Sequence, residues 1–328
     1  MFPGALTNYS GQVTTEYGSV RVDIEGRGPA ILVLHGTPGG VDAARAMARF
    51  IPRDRFRVLM ISRPGYPGTP ITATRSINEE ARLLNSMLDA LDIKDVAVLA
   101  WSGGAPAAYR LAVLHPTRVR GVAAIAGVST VLNAHRLSPV EQLLRMSLIG
   151  AFTIRTARRF WPRVLLQEIL KHEGRLEPLE LREQVASVFK KPSARSDLFS
   201  LATAGVVRSD RRLGYLTDLN NFERIDDLEL EKVHCPSWLF HGDVDTDVPL
   251  IHSLTAARVL PRAELVQAEN GTHFEFWTQR TDEYHKRVIS FFSSLPESSV
   301  QPSFASRSTA VSPRPRPHMD FFPFDSES

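Results

Sequence analysis

Val96-Ala97-Val98-Leu99-Ala100-Trp101-Ser102-Gly103-Gly104 is a short apolar run that ends on a serine set between small residues. It is followed by Ala107, Ala108, Leu111 and Ala112 at helical spacing, up to a stop at Pro116. The stretch therefore reads as a buried strand, a tight turn and a helix. A serine on such a turn has its hydroxyl lifted off the sheet. The residues two before and two after it must be small, because strand and helix approach closely there. Ala100 and Gly104 meet that requirement. The same turn aims the Gly103 N–H and the positive end of the helix at whatever Ser102 attacks.

Outward from this segment, short apolar runs alternate with amphipathic ones, the pattern of strand-helix-strand units on a parallel sheet. Residues 30–35, 56–62 and 119–126 read as buried strands, and 236–241 and 263–268 as later ones. Ser76 and Glu79 form a capping-box pair ahead of Ile77, Ala81, Leu84, Leu88 and Leu91, which predicts a helix packed on one sheet face. A closing helix is expected over 281–295, burying Tyr284, Val288, Phe291 and Phe292. From about 130 to 231 the strand signal vanishes in favour of helix formers. The Arg and Lys residues of that stretch (Arg155, Arg158, Arg159, Arg163, Lys190, Lys191, Arg208, Arg211, Arg212) read as a solvated face, ahead of the alternative of an electrostatic preference for anionic substrates. Beyond Pro296 the chain turns to Ser, Pro, Gln and Arg, a composition expected to stay disordered, Phe321 to Phe324 included.

Composition narrows the function. Among 328 residues, 43% are hydrophobic and 23% charged, which excludes wholesale disorder and fibrous repeats. A formal charge of only +3 argues against nucleic acid as a partner. One cysteine, Cys235, cannot make an internal disulfide or a Cys-rich zinc site, and it fits a reducing compartment. The start has no basic and apolar leader, and no apolar run approaches the roughly 18 residues of a membrane span. A soluble cytoplasmic protein is expected.

Three further stretches carry chemistry. His35-Gly36-Thr37-Pro38-Gly39-Gly40 leaves the end of a central strand. In a parallel sheet it should lie beside Ser102, where backbone near Thr37 would give a second oxyanion donor. A phosphate loop is the competing reading, but the Lys-Ser/Thr pair and the GxGxxG spacing are both missing. The second stretch is Gly242-Asp243-Val244-Asp245-Thr246-Asp247-Val248-Pro249, and the third is Gly271-Thr272-His273-Phe274. A serine hydroxyl needs an imidazole to take its proton and a carboxylate to hold that imidazole's tautomer. The order Ser, Asp, His supplies both, with three aspartates open as the acid. A calcium loop is excluded by Val248 where Gly is needed and Leu254 where Glu is needed. His35 and His241, at strand ends before Gly, read as structural; no metal and no cofactor are expected.

Together the HGTPGG loop, the AWSGG elbow, the HGDVDTDVP turn and the GTH turn, in that order, resemble the α/β-hydrolase superfamily. The resemblance covers roughly residues 15 to 295. It implies the α/β-hydrolase fold, a mostly parallel sheet with helices on both faces and an inserted helical cap. The expected division is 1–129 core, 130–231 cap, 232–295 core and 296–328 tail. It implies catalytic roles for Ser102, Asp245 (three residues after the glycine of the HG pair) and His273, with backbone N–H groups of Thr37 and Gly103 as the oxyanion hole. Ala100 departs from the family's usual Gly, and Arg63 to Gly68 looks like the family's loop after the next strand. The activity implied is serine hydrolysis of a small ester, thioester, lactone or amide. A C–C bond hydrolase, a peptidase similar to the proline iminopeptidases, and a catalytically silent binding or interaction protein on the same scaffold remain as alternatives. Serine at the elbow argues against the branches that use Asp there. Substitutions in the cap are expected to change substrate preference more than reactivity toward a small activated ester. Oligomeric state is not legible.

Overall fold

The computed structural model describes residues 8–71, 75–133, 156–206, 208–278 and 281–296. Its frame is an eight-stranded sheet of β1 (Asn8–Thr15), β2 (Gly18–Glu25), β3 (Ala30–Leu34), β4 (Arg57–Ile61), β5 (Val96–Trp101), β6 (Val119–Ile125), β7 (Ser237–Gly242) and β8 (Ala263–Ala268). The spatial order is β1-β2-β4-β3-β5-β6-β7-β8. The first three strands in that order pair antiparallel and all the others parallel. The expected parallel strands are all present. The β1–β2 hairpin was not expected, although Val20, Val22 and Ile24 alternate toward the core as a half-buried strand should.

The chain runs from β3 outward to β4, then returns past β3 to β5, so the strand order reverses between β3 and β5. Loops at the carboxyl ends of strands on either side of such a reversal face a common crevice. The loops after β3 and β5 therefore meet, and they are the ones that carry Thr37 and Ser102.

Helices α1 (Val41–Met47), α2 (Ile77–Ala90) and α3 (Ala105–Leu114) follow β3, β4 and β5. The capping box of α2 is formed, with the Ser76 side chain accepting from Glu79 N and the Glu79 side chain accepting from Ser76 N. Between β6 and β7 lie the helices α4 (Pro162–Glu173), α5 (Pro178–Lys190), α6 (Pro192–Ala204) and α7 (Arg212–Phe222). Each of α4, α5 and α6 starts on a proline at its first turn, where the missing N–H has no helical partner to lose. Leu166, Leu170, Leu181, Val185, Val188 and Leu198 join the apolar cluster on one sheet face, with Met47, Trp238 and Phe276. Leu219 and Phe222 of α7 join the cluster on the other, with α2 and α3. The inserted helices thus share both cores of the sheet.

The remaining helices are α8 (Ile251–Val259) and α9 (Thr281–Ser294), the latter burying Tyr284, Val288 and Phe292 as expected, whereas Phe291, also expected inside, is half-buried. No described helix is long and apolar enough to cross a membrane. Arg155, Phe321 to Phe324 and all of the expected tail except Pro296 lie outside the described residues. The solvated-face reading of the basic stretch needs one correction. Arg211 is buried, with its guanidinium bonded to the Asp42 carboxylate and the Ala204 carbonyl.

Candidate active site

Trp101 ends β5 in extended geometry (φ −123°, ψ 136°), and Ser102 then turns to φ 51° before a single 3₁₀ turn leads into α3. That left-handed φ costs a residue with a side chain about 1–3 kcal/mol, and such strain persists only where the surroundings enforce it. Here they do. A Cβ on Gly104 would lie 2.6 Å from the Leu34 carbonyl and 2.7 Å from that of His35, so the helix start is pressed against the end of β3. A Cβ on Gly36 would lie 3.2 Å from that of Ser102, and one on Gly103 would lie 2.2 Å from Thr37 Oγ1. Thr37, Gly103 and Ser102, expected to be neighbours, are brought together.

The loop after β7 places its three aspartates differently. Asp243 and Asp247 are exposed and Asp245 is buried. Asp245 Oδ1 accepts from the N–H groups of Asp247 (2.9 Å) and Val248 (3.0 Å), and Oδ2 lies 2.7 Å from His273 Nδ1. His241 Nε2 sits 3.3 Å from the same Oδ2. It donates to the Val248 carbonyl at 2.8 Å, so His241 Nδ1 accepts from the Ser253 hydroxyl. Burial pushes the Asp245 carboxyl up, but the adjacent His273 and the bonds from both imidazoles outweigh it and hold it at about 2. Burial draws His273 down, and the Asp245 carboxylate more than compensates, so its pKa lies above that of free imidazole. Asp243 instead accepts from Gly271 N at 3.2 Å, bracing the histidine loop.

With Nδ1 bound to Asp245, Nε2 is the ring nitrogen of His273 left for proton transfer. The Trp101 indole lies 5.3 Å from the imidazole, centroid to centroid, which seats the histidine beside the residue preceding Ser102. The end of α4 fastens this side: the Glu173 carbonyl accepts from His273 N at 3.0 Å, and Gly174 bridges to Asp245.

Sequence reasoning missed the structure on the Thr37 side. Arg63, which follows the apolar β4, is buried between two carboxylates. It donates to Glu80 through Nε (2.7 Å) and Nη2 (3.1 Å), and to Asp218 through Nη1 (3.0 Å) and Nη2 (2.9 Å). Its backbone N–H donates to His35 Nε2 at 3.0 Å, which fixes the tautomer so that Nδ1–H donates to the Gly36 carbonyl at 2.7 Å. Burial and the Arg63 charge lower the His35 pKa and hold the ring neutral. Glu80 had a signal, a charged residue among the apolar positions of α2. Asp218 had none, being one polar residue in a helix of weak periodicity. Among the described residues no group of three His, Cys, Asp or Glu side chains is gathered to hold a metal.

A sheet of this order, with a left-handed serine after its fifth strand and a buried Asp–His pair after its last two, is the architecture of the α/β hydrolases. Residues 29–279 match the model of the alpha/beta hydrolase fold family, and the chain belongs to that family. An alpha/beta hydrolase fold protein from Nakamurella multipartita is similar in structure, at 34% identity and a TM-score of 0.84, over 87% of this chain and 99% of that one. In sequence the chain is similar to a pimeloyl-(acyl-carrier protein) methyl ester esterase of Chromobacterium violaceum, 27% identical over 80% of this chain and 93% of the relative. It is also similar to the uncharacterized hydrolase YcgS of Bacillus subtilis, 22% identical over 86% and 98% of the two chains.

Proposed function

We propose that the protein is a serine hydrolase of small carbonyl substrates, esters first, working through an acyl-enzyme on Ser102. The observation that carries this reading is the buried Asp245 carboxylate on His273 Nδ1, across the crevice from a serine held at φ 51°. In the proposed reaction Ser102 Oγ attacks the carbonyl carbon while His273 Nε2 takes its proton. The N–H groups of Gly103 and Thr37 receive the oxyanion, aided by the positive end of α3. As the tetrahedral adduct collapses, His273 returns the proton to the leaving group. A water attacks the acyl carbon by the same route in reverse, and Ser102 is regenerated. Residues 130–231 act as a cap that bounds the substrate pocket. The methyl ester cleaved by the Chromobacterium violaceum relative favours the ester among the carbonyl classes.

The test is stoichiometric labelling by a fluorophosphonate, lost in Ser102→Ala, together with turnover of a panel of p-nitrophenyl esters, thioesters, lactones and aminoacyl amides. Labelling at Ser102 with ester turnover is expected. A wild-type protein that neither labels nor turns over any panel member is a silent scaffold, and the proposal fails.

A further inference from the structure

Helix α7 belongs to the inserted helices, yet it is fastened to the loops around Ser102 rather than resting over them. Gly214 N donates to the Gly65 carbonyl at 3.0 Å, and a Cβ on Gly65 would stand 2.6 Å from Gly214 Cα, so helix and loop touch backbone to backbone. One turn further on, Asp218 enters the buried cluster. Its Oδ2 accepts from Thr37 Oγ1 at 2.5 Å, from Tyr66 Oη at 2.6 Å and from Arg63 Nη1 at 3.0 Å, while Oδ1 accepts from Arg63 Nη2 at 2.9 Å. Another turn on, Phe222 closes over the elbow, where a Cβ on Gly103 would lie 2.6 Å from its Cζ.

The loop bearing Thr37 is therefore pinned twice through Arg63. The Arg63 backbone N–H holds His35, whose ring holds the Gly36 carbonyl, and the Arg63 guanidinium holds Asp218, which holds the Thr37 hydroxyl. All four hydrogen bonds at the Asp218 carboxylate come from donors on the surrounding side chains. Burial and the Asp218 charge push the Tyr66 phenol well above its ordinary value, so it stays a donor. The Thr37 hydroxyl, donating to Asp218 at 2.5 Å and accepting from Arg63 Nη1 at 3.4 Å, is held against Gly103.

We infer that Asp218 is a positioning residue: through the Thr37 hydroxyl it aligns the backbone N–H of Thr37 in the oxyanion hole, so that the helical insertion completes the catalytic apparatus as well as bounding the pocket. The inference rests on the serine-hydrolase reading above and departs from the expectation that substitutions in the insertion change preference more than reactivity. Its effect should fall on kcat, because an oxyanion donor acts where charge develops and little on ground-state binding.

The experiment compares Thr37→Val, Thr37→Ser, Asp218→Asn and the double variant Thr37→Val/Asp218→Asn with wild type. It measures p-nitrophenyl acetate kinetics, fluorophosphonate labelling rate and stoichiometry, and melting temperature. Thr37→Val keeps the shape of the side chain and the Arg63–Asp218 contact, so it tests the hydroxyl even if Asp218→Asn folds poorly. Losing alignment of one donor should lower kcat and labelling rate by about 10- to 100-fold with KM changed less than about threefold, below the loss for removing such a donor outright. Labelling should still reach one per chain, which a partly unfolded preparation would not. Thr37→Ser should recover most of the rate, and the double variant should be no slower than the slower single one, since both break the same link. Wild-type rates in Thr37→Val, or additive losses in the double variant, overturn the inference while leaving Ser102 labelling, and the serine reading, intact. Failure of the wild type to label at Ser102 overturns both.

Discussion

The two sides of Ser102 are held in different ways. On the proposed acid–base side, Asp245 and His273 lie on the loops after the adjacent strands β7 and β8, and Asp245 Oδ1 is fixed by the N–H groups of its own turn. On the proposed oxyanion side, Thr37 is tied to Arg63, Glu80, Tyr66 and Asp218, side chains drawn from the loop after β4, from α2 and from the insertion. Short-range backbone contacts leave a compact motif in the chain, whereas a buried charge cluster leaves scattered residues. The first side should therefore be sensitive to chemistry at one carboxylate, and the second to the balance of a buried ion network.

The largest expected effect is common to both sides. Ser102→Ala should lower kcat by about 10⁶, the scale seen when a triad serine is removed, with an unchanged melting curve. Next comes Asp245→Asn, expected to cost about 10⁴ in kcat because the wrong imidazole tautomer is favoured. It should also move the pH profile. His273 acts as a base only when neutral, and its pKa is raised, so wild-type kcat/KM should fall as pH drops through a value above the 6.5 of free imidazole. Without the Asp245 charge the downward pull of burial is opposed only by the smaller effect of Asp247, so the acid limb should shift to lower pH. A limb that stays in place separates Asp245 from His273 and removes the first half of the comparison.

On the other side, Arg63→Met should be the more damaging change to stability. It strands Glu80 and Asp218, both buried, without their counter-ion, at a cost of about 3–5 kcal/mol in urea unfolding. Asp245→Asn should cost less, since a carboxamide oxygen still accepts from Asp247 and Val248. Equal losses in the two variants would erase the distinction between the sides. The smallest effects should come from Asp243→Asn and Asp247→Asn, both exposed, each within about tenfold of wild-type kcat, as expected away from the triad. A large loss at either would move the acid away from Asp245.

Where local pattern and tertiary role agree, the sequence was readable. The apolar runs became the central strands, the Ser76–Glu79 capping box formed, and small residues flank Ser102 because β5, α3 and the end of β3 leave no room for larger ones. The β1–β2 hairpin escaped notice because β1 is mostly polar and half exposed, although β2 carried a period-two signal. Arg211 was misread as solvent-facing because a lone arginine in a basic stretch does not show which carboxylate it will meet, here Asp42 from a segment far back in the chain.

The sequence alone determined the class of sheet, the elbow at Ser102 and the order of serine, acid and histidine, because each rests on contacts within a few residues or on strand periodicity. It left three aspartates open. Folding sets them apart by burying Asp245 against His273 and leaving Asp243 and Asp247 exposed. The tertiary structure alone decided that Arg63, Glu80 and Asp218 converge behind Thr37. The physical reason is that a buried charge is tolerable only beside its partner, and that pairing joins Arg63 to a residue 155 positions away, beyond the reach of any local periodicity.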